Sequence, residues 1–444
     1  MHIEQVAVEA LRPYPHNART HSRAQIRKIA KSIEKFGFVN PVLVDDQKQI
    51  IAGHGRVEAA KLLGMKTVPT VLVSHLSEAE KRAYILADNK LALDAGWDRE
   101  ILAIELQGLI DIGFEVELSG FETAEIDIIL EDVAEAKSSS GPEDQIPEEP
   151  EGLPVTRTGD LWVLGPHRLI CADARDEDAY RSLMDGEKAA FVFTDPPYNV
   201  AIDGHVSGLG KVRHREFAMA SGEMSGNEFT AFLEAIFRNL VKFSSDGSIH
   251  DICMDWRHMA EVLTAGNSTY AELKNLCVWN KNNAGMGSLY RSKHELVFVF
   301  KNGKEPHINN VELGRFGRSR SNVWDYAGVN TFRPGRMDEL ALHPTVKPVA
   351  LVADAIKDVS RRNDIVLDPF SGSGTTIIAA EKTGRRARVI EIDPAYCDVA
   401  VRRWQQFSGK KARLVDGGKT FEEISEERVT PLQASSSTTI SKAN

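Results

Sequence analysis

Ile365-Val366-Leu367-Asp368-Pro369-Phe370-Ser371-Gly372-Ser373-Gly374-Thr375-Thr376 is the stretch that decides the fold. Its apolar start, closing on an acid, has the length and composition of a buried strand. A glycine-bearing turn follows, and residues from Thr375 to Lys382 read as a helix. The next apolar run, Ala387-Arg388-Val389-Ile390, ends at Glu391-Ile392-Asp393. Strand, Gly-x-Gly turn, helix, strand, acid is the arrangement that holds the nucleoside part of a cofactor. The glycines let the ligand approach the backbone, and the acid takes the ribose hydroxyls. The expected fold class is therefore α/β with a mostly parallel, Rossmann-like sheet. A dinucleotide fingerprint wants a third glycine where Ile377 stands, and a phosphate-cradling P-loop wants a lysine after Gly374 that this chain lacks. A cofactor with an uncharged end suits the turn better.

A second strand end lies earlier. Ala189-Ala190-Phe191-Val192-Phe193 leads to Asp195-Pro196-Pro197-Tyr198. Neither proline can donate a ladder hydrogen bond and both fix φ, so the strand stops abruptly. An acid, a bare carbonyl and an aromatic ring are held in one rigid corner at a strand's carboxyl end, where open α/β sheets bind ligands. Leu161-Trp162-Val163-Leu164-Gly165 and His167-Arg168-Leu169-Ile170 suggest a hairpin just before Asp173. Asp173 is placed either to contact a cofactor base or to cap a helix.

Taken together, Asp368-Pro369-Phe370-x-Gly372-x-Gly374-Thr375-Thr376, Glu391-Ile392-Asp393-Pro394 and Asp195-Pro196-Pro197-Tyr198 resemble the S-adenosylmethionine-dependent amino-methyltransferases of DNA. The resemblance covers about residues 155–410. The tetrad precedes the cofactor turn, as in the family's circularly permuted β group. His343-Pro344-Thr345-x-Lys347-Pro348 is similar to the family's helix start before that turn. By this resemblance the cofactor is S-adenosyl-L-methionine, held by Asp173, Asp368, Phe370, Gly372, Gly374, Thr375, Thr376, Glu391 and Asp393. Asp195, Pro196, Pro197 and Tyr198 are then catalytic, and double-stranded DNA is the partner, as in restriction-modification methylases. Lys347 neutralises either a carboxylate or a DNA phosphate.

The chemistry explains the residue types. The exocyclic amine of adenine is a poor nucleophile because its lone pair is conjugated with the ring. The Asp195 carboxylate and the Pro196 carbonyl, each about 3 Å from an N–H, would favour the pyramidal amine. Tyr198 would stack on a base flipped out of the duplex. Ring-carbon cytosine methylation needs a cysteine nucleophile, typically after proline, and the chain has no Pro-Cys. In the family, Asp at the first tetrad position goes mostly with adenine N6. Cytosine N4 is the alternative, and a ParB-like DNA- or nucleotide-binding protein with a non-catalytic methylase domain is the rival class.

That rival comes from the N-terminal third. Arg12-Pro13-x-x-x-Asn17-x-Arg19, Ser32-Ile33, Gly37-Phe38, Pro41, Ile50-Ile51-Ala52-Gly53-His54-Gly55-Arg56 and Ala59-Ala60 resemble the N-terminal domain of the ParB/sulfiredoxin family, over about residues 1–110. The resemblance places Gly53, Gly55 and Arg56 at a nucleotide phosphate. His54-Gly55 replaces the family's Glu-Arg, and no ParB-style helix-turn-helix is expected to follow. His54 is either a turn filler or a catalyst. Ser22 with Gln25, and Ser77 with Glu80, read as capping boxes, and two or three helices run from Ser77 to about Leu130.

At 444 residues the chain exceeds one ordinary domain, and its 42% apolar content is enough for real cores. Expected boundaries are a ParB-like domain over 1–135, an acidic linker over 136–154, the methyltransferase domain over 155–415 and a disordered tail over 416–444. No apolar run nears the ~20 residues of a membrane span. No signal peptide is read at the N-terminus. The cysteines, Cys171, Cys253, Cys277 and Cys397, are scattered, so no metal site is indicated and a cytoplasmic setting fits. A homodimer is compatible with these features. The net charge of −10 argues mildly against a general nucleic-acid coat. Candidate DNA contacts are Lys211, Arg213 and Arg215, in a loop that orders over DNA or stays solvated. Others are Arg315, Arg318 and Arg320, in an irregular recognition segment over about 302–343 that also carries Arg333 and Arg336.

Overall fold

The computed structural model describes residues 2–135, 142–144, 146–147, 152–199, 222–282, 289–311, 318–327 and 346–428. Lys211, Arg213, Arg215, Arg315, Arg333, Arg336 and the His343-Pro344-Thr345 start lie outside these residues, as do 429–444. The chain divides into two compact units, Met1–Lys137 and Ser138–Asn444.

The first unit holds strands β1 (Ile3–Ala7), β2 (Val42–Val44), β3 (Ile50–Ala52) and β4 (Thr67–Leu72) in the order β1-β4-β2-β3. Val42, Val44, Ile50, Val57, Ala60 and Val68 make its core. Helix α1 (Arg23–Phe36) starts at Ser22, whose hydroxyl accepts from the Gln25 N–H at 3.1 Å and ends at Gly37 with φ 81°. The box is only half formed, because the Gln25 side chain turns to His21 instead. Helix α2 (His54–Leu62) begins after Gly53, and α3 (Glu78–Asp94) carries the full Ser77–Glu80 box. Helices α4 (Arg99–Asp111) and α5 (Thr123–Glu135) pack through Leu106, Val116 and Ile126.

The second unit is a three-layer α/β/α sandwich. Its strands are β5 (Leu161–Leu164), β6 (His167–Cys171), β7 (Ala189–Thr194), β8 (Ser244–Met254), β9 (Glu272–Asn280), β10 (His294–Lys301), β11 (Val323–Asp325), β12 (Ile365–Asp368), β13 (Arg386–Glu391) and β14 (Arg413–Leu414). They form one sheet ordered β11-β9-β10-β8-β7-β12-β13-β6-β5-β14. The central run from β8 to β6 is parallel throughout. Both faces of that run are covered, which is why β7 and β12 read as unbroken apolar runs. One face carries α6 (Glu177–Met184), α7 (Gly226–Phe243) and α8 (Met259–Thr269), packed through Tyr180, Phe229, Phe237 and Val262. The other carries α9 (Val349–Val359), α10 (Thr375–Thr383) and α11 (Pro394–Ser408), packed through Ile356, Ile377 and Trp404.

Two expected boundaries move. Residues 142–144 are not free linker: Glu143 pairs with Lys382 at 2.9 Å, and Asp144 accepts from the Val349 N–H at 2.9 Å. The domain does not stop at 415 either. Helix α12 (Phe421–Arg428) buries Phe421 against Trp162 with ring centroids 5.3 Å apart, and Arg428 pairs with Asp160. Burying one aromatic ring stabilises by about 1.5–3 kcal/mol, enough to order a polar-looking segment.

Candidate active site

Two parallel neighbours build the site. The register of β7 on β12 sets Phe191 against Val366 and Val192 against Leu367, so their carboxyl ends emerge side by side. Thr194 donates its hydroxyl to Asp368 Oδ1 at 3.1 Å, which ties the residue before Asp195 to the head of the glycine turn. The two stretches that stand 174 positions apart at this bond in the chain are thus one corner in space.

Asp368 supports the turn from within. Its oxygens also accept from the Phe370 N–H at 3.0 Å and the Thr376 hydroxyl at 2.6 Å. Burial raises its pKa to about 6 against those hydrogen bonds. Thr375 is likewise turned inward, 3.1 Å from the buried Arg403 guanidinium, which also holds Ser373. Gly374, at φ 83°, has no room for a side chain, because a Cβ would stand 2.9 Å from the Cβ of Ala400. Gly372, at φ 49°, has no atom of the described residues within 4 Å of where a Cβ would stand. Asp393 caps α11, accepting from the Ala395 N–H at 2.9 Å.

Glu391 ends β13 and crosses to the turn. One oxygen accepts from the Gly372 N–H at 2.8 Å and the other from the Asp393 N–H at 2.9 Å. A carboxylate has about four lone-pair sites, so these N–H groups do not exhaust its capacity for ligand hydroxyls. Burial lifts its pKa to about 7. Asp173 is ion-paired with Arg175 at 2.6 Å, and α6 is capped by Asp176, which closes the N-cap alternative for Asp173. Beside these residues opens a cavity of about 430 Å³ lined by Arg175, Met224, Glu228 and Phe232, with the Phe232 ring 6.3 Å from Phe370. A nucleoside cofactor fits this set: Ser371 Oγ is buried with no hydrogen-bond partner among the described residues, Gly372 leaves a cradle, and Glu391 has lone pairs to offer.

The proline corner also carries Glu295 and Lys281, which sequence reading did not assign to it. Asp195 Oδ1 accepts from the Tyr198 hydroxyl at 2.6 Å, and Oδ2 accepts from Lys347 Nζ at 2.5 Å. Lys347 stands between two carboxylates, since it also meets Glu295 at 2.9 Å. Lys281 pairs with the other oxygen of Glu295. Burial pushes Glu295 up, but Lys347 and Lys281 outweigh it and hold the carboxyl at about 2. Asp195 shifts upward, burial exceeding the pull of Lys347. Asn199, at φ 51°, accepts from the Met224 N–H at 3.1 Å and donates to the Met224 carbonyl at 2.8 Å, pinning residues 222–224 to the corner.

Two candidate DNA contacts are consumed inside the fold. Arg318 pairs with Asp358 at 2.6 Å, and Arg320 with Asp358 at 2.8 Å and Asp354 at 3.2 Å, both acids on α9. Their side chains are 8% and 16% exposed, so a phosphate would have to displace these acids. In the N-terminal unit, Gly53, Gly55 and Arg56 do come together. Arg56 folds over Gly53, donates to the Pro41 carbonyl at 3.3 Å, and leaves its Nε buried with no partner among the described residues. Gly55 makes room for His21 and Ile29, and His54 accepts from the Tyr14 N–H at 3.2 Å.

Three family profiles match this chain: ParB N-terminal domain over residues 1–90, ParB-methyltransferase HTH domain over 100–158 and DNA methylase over 189–402. The second covers α4 and α5 and corrects the expectation that no helix-turn-helix follows. Among curated proteins, the chain is 49% identical over 75 residues to the ParB-like nuclease domain-containing protein YnaK of Escherichia coli (strain K12), covering 17% of this chain and 86% of that one. It is 27% identical over 231 residues to the type II methyltransferase M2.MboI of Moraxella bovis, covering 49% of this chain and 81% of that one. The solved M1.HpyAVI-SAM complex aligns at a TM-score of 0.39 with 21% identity, covering 53% of this chain and 97% of that one.

Proposed function

Because the chain belongs to the ParB-like proteins by its N-terminal domain and to the N6/N4 DNA methylases by residues 189–402, we propose that it methylates the N6 amine of adenine in double-stranded DNA. The observation that carries this reading is the bond from Thr194 to Asp368, which sets the Asp195 corner against the cofactor turn.

S-adenosylmethionine supplies an electrophilic methyl group on a sulfonium. Glu391 takes the ribose hydroxyls, Gly372 lets the ligand reach the backbone, and Ser371 and Asp173 offer polar contacts at the two ends. Asp195 and the Pro196 carbonyl accept from the target amine, withdrawing it from ring conjugation. Pro197 stiffens the corner, and the Tyr198 ring is the stacking surface for the extruded base. Stacking on an aromatic returns about 1–3 kcal/mol of the few that unstacking costs. Much of the catalysis is then alignment of amine with methyl group. The acid at the first tetrad position favours adenine over cytosine. The N-terminal unit, with the unpartnered Nε of Arg56 beside the Gly53 turn, assists binding as an anion-holding module.

The test is expression of the full chain in a host lacking DNA methylation, followed by nucleoside analysis of its genome. N6-methyladenine is expected. N4-methylcytosine would move the reading to the other amine, and neither base would overturn it. A 138–444 fragment with full DNA affinity and sequence choice would remove the N-terminal unit from the account.

A further inference from the structure

The catalytic corner is already engaged as the chain folds. Both oxygens of Asp195 hold donors, Tyr198 at 2.6 Å and Lys347 at 2.5 Å. Each oxygen keeps a second lone-pair site, so a target amine must either share an oxygen with one of these donors or displace it. Glu295 stands opposite the same two donors, 3.1 Å from the Tyr198 hydroxyl and 2.9 Å from Lys347 Nζ. A phenol has one proton, so Tyr198 donates to one carboxylate at a time. Lys281 fixes the far oxygen of Glu295, and the side chain is only 13% exposed. Glu295 reaches this place through register: Leu296 pairs with Met254, so the residue before it sits at the carboxyl end of β8, on the same rim as Asp195.

We propose that Glu295 is a positioning residue for methyl transfer. It takes over the Tyr198 hydroxyl when the target amine engages Asp195, and it shares Lys347 so that Asp195 can accept the amine's proton. The inference rests on the methylation reading above and goes beyond it. The balance is simple. The S–CH3 bond breaks with its electron pair staying on sulfur, which leaves as a neutral thioether; the amine's lone pair makes the new C–N bond, and one N–H proton must leave. Asp195 Oδ1 receives that proton and becomes a neutral acid, while Glu295 and Lys347 remain an ion pair. Bulk water then takes the proton from Asp195.

The charged and titratable neighbours of Asp195 are Lys347, Glu295 from β10, Tyr198, Cys253 from β8 and Asp368 from β12. Glu295 and Lys347 act on Asp195 in opposite senses. Removing the negative charge of Glu295 leaves Lys347 to Asp195 alone, which favours the ionised carboxylate and moves its titration to lower pH.

Single-turnover transfer of a labelled methyl group from S-adenosylmethionine to DNA from a methylation-free host, followed from pH 5 to 9 with the full chain, tests this. For Glu295→Gln the rate at pH 7.5 should fall about 10- to 100-fold. The acid limb of its profile should move to lower pH, and cofactor affinity should stay within about twofold of the parent. A merely structural loss would lower the rate without moving the limb. An unmoved limb or an unchanged rate overturns the proposal. Should Glu295→Gln not fold, Glu295→Asp decides: its retained charge keeps the limb in place while the shorter reach lowers the rate, and any other pairing of results is contrary. A parent chain that methylates no base falls on the adenine reading and takes this inference with it. An unmoved limb in an active enzyme counts against Glu295 alone.

Discussion

Glu391 should make cofactor binding depend on pH. Its carboxyl is buried, and burial raises the pKa from 4.5 to about 7 against the N–H groups of Asp393 and Gly372. Ribose hydroxyls donate to the ionised form, so binding must draw the proton off. At 1.36 kcal/mol per pH unit, each unit below about 7 weakens binding roughly tenfold. Affinity for S-adenosylmethionine should therefore drop about tenfold between pH 8 and pH 6 and be level above about 7.5. Calorimetry at pH 7 in two buffers of different ionisation heat should count roughly half a proton released per cofactor bound. Glu391→Gln should bind weakly and lose this slope; whatever slope remains belongs to the cofactor's own amine. The sign for folding follows from the same shift. The folded chain keeps a proton that the unfolded chain loses above pH 4.5. This group's contribution to stability is thus full below that pH and lost as pH rises to about 7, a difference of about 3 kcal/mol. Affinity that stays flat from pH 6 to 8, or a slope that survives intact in Glu391→Gln, would refute the reasoning.

Asp195→Ala should lower single-turnover methyl transfer by about 10²- to 10⁴-fold, with calorimetric cofactor affinity nearly unchanged. Arg318→Ala should cost roughly 1.5–3 kcal/mol in denaturant unfolding, because Asp358 on α9 loses one of its two arginine partners and keeps Arg320, while the salt dependence of DNA binding keeps its slope; a slope reduced by about one would restore Arg318 as a phosphate contact. Phe421→Ala should cost about 3–5 kcal/mol, read by chemical denaturation, whereas a tail without structure would show no change.

The strand ends and the glycine turn were legible because each is a local pattern: an apolar run, then residues that stop it. Glu391 was legible by its spacing from that turn. Glu295 was not, since in His294-Glu295-Leu296 it is one polar position in a strand, and its meaning arises only when β10 is laid in register on β8. Arg318 and Arg320 looked like DNA contacts because charge alone does not say where it points. The available signal was Asp354 and Asp358, four positions apart on the apolar helix α9. The C-terminal helix was hidden by its charged composition, although Phe421 and Ile424 share a helical face and both are buried. The helix-turn-helix segment was passed over because charged and apolar residues alternate across α3 to α5 without marked edges.

The beginning and the end of the methylase unit hold on to each other. Asp398 accepts from the Val155 and Thr156 N–H groups at 2.7 and 2.9 Å, and Arg428 donates to the Val155 carbonyl at 2.9 Å. A splice of a few residues would close the unit into a ring without disturbing its sheet. Once closed, the ring could be cut at any surface seam, and a cut before Val349 would put the cofactor half first. Which half is translated first is thus an accident of where the polypeptide opens, whereas the seating of β7 beside β12 is the same in either version.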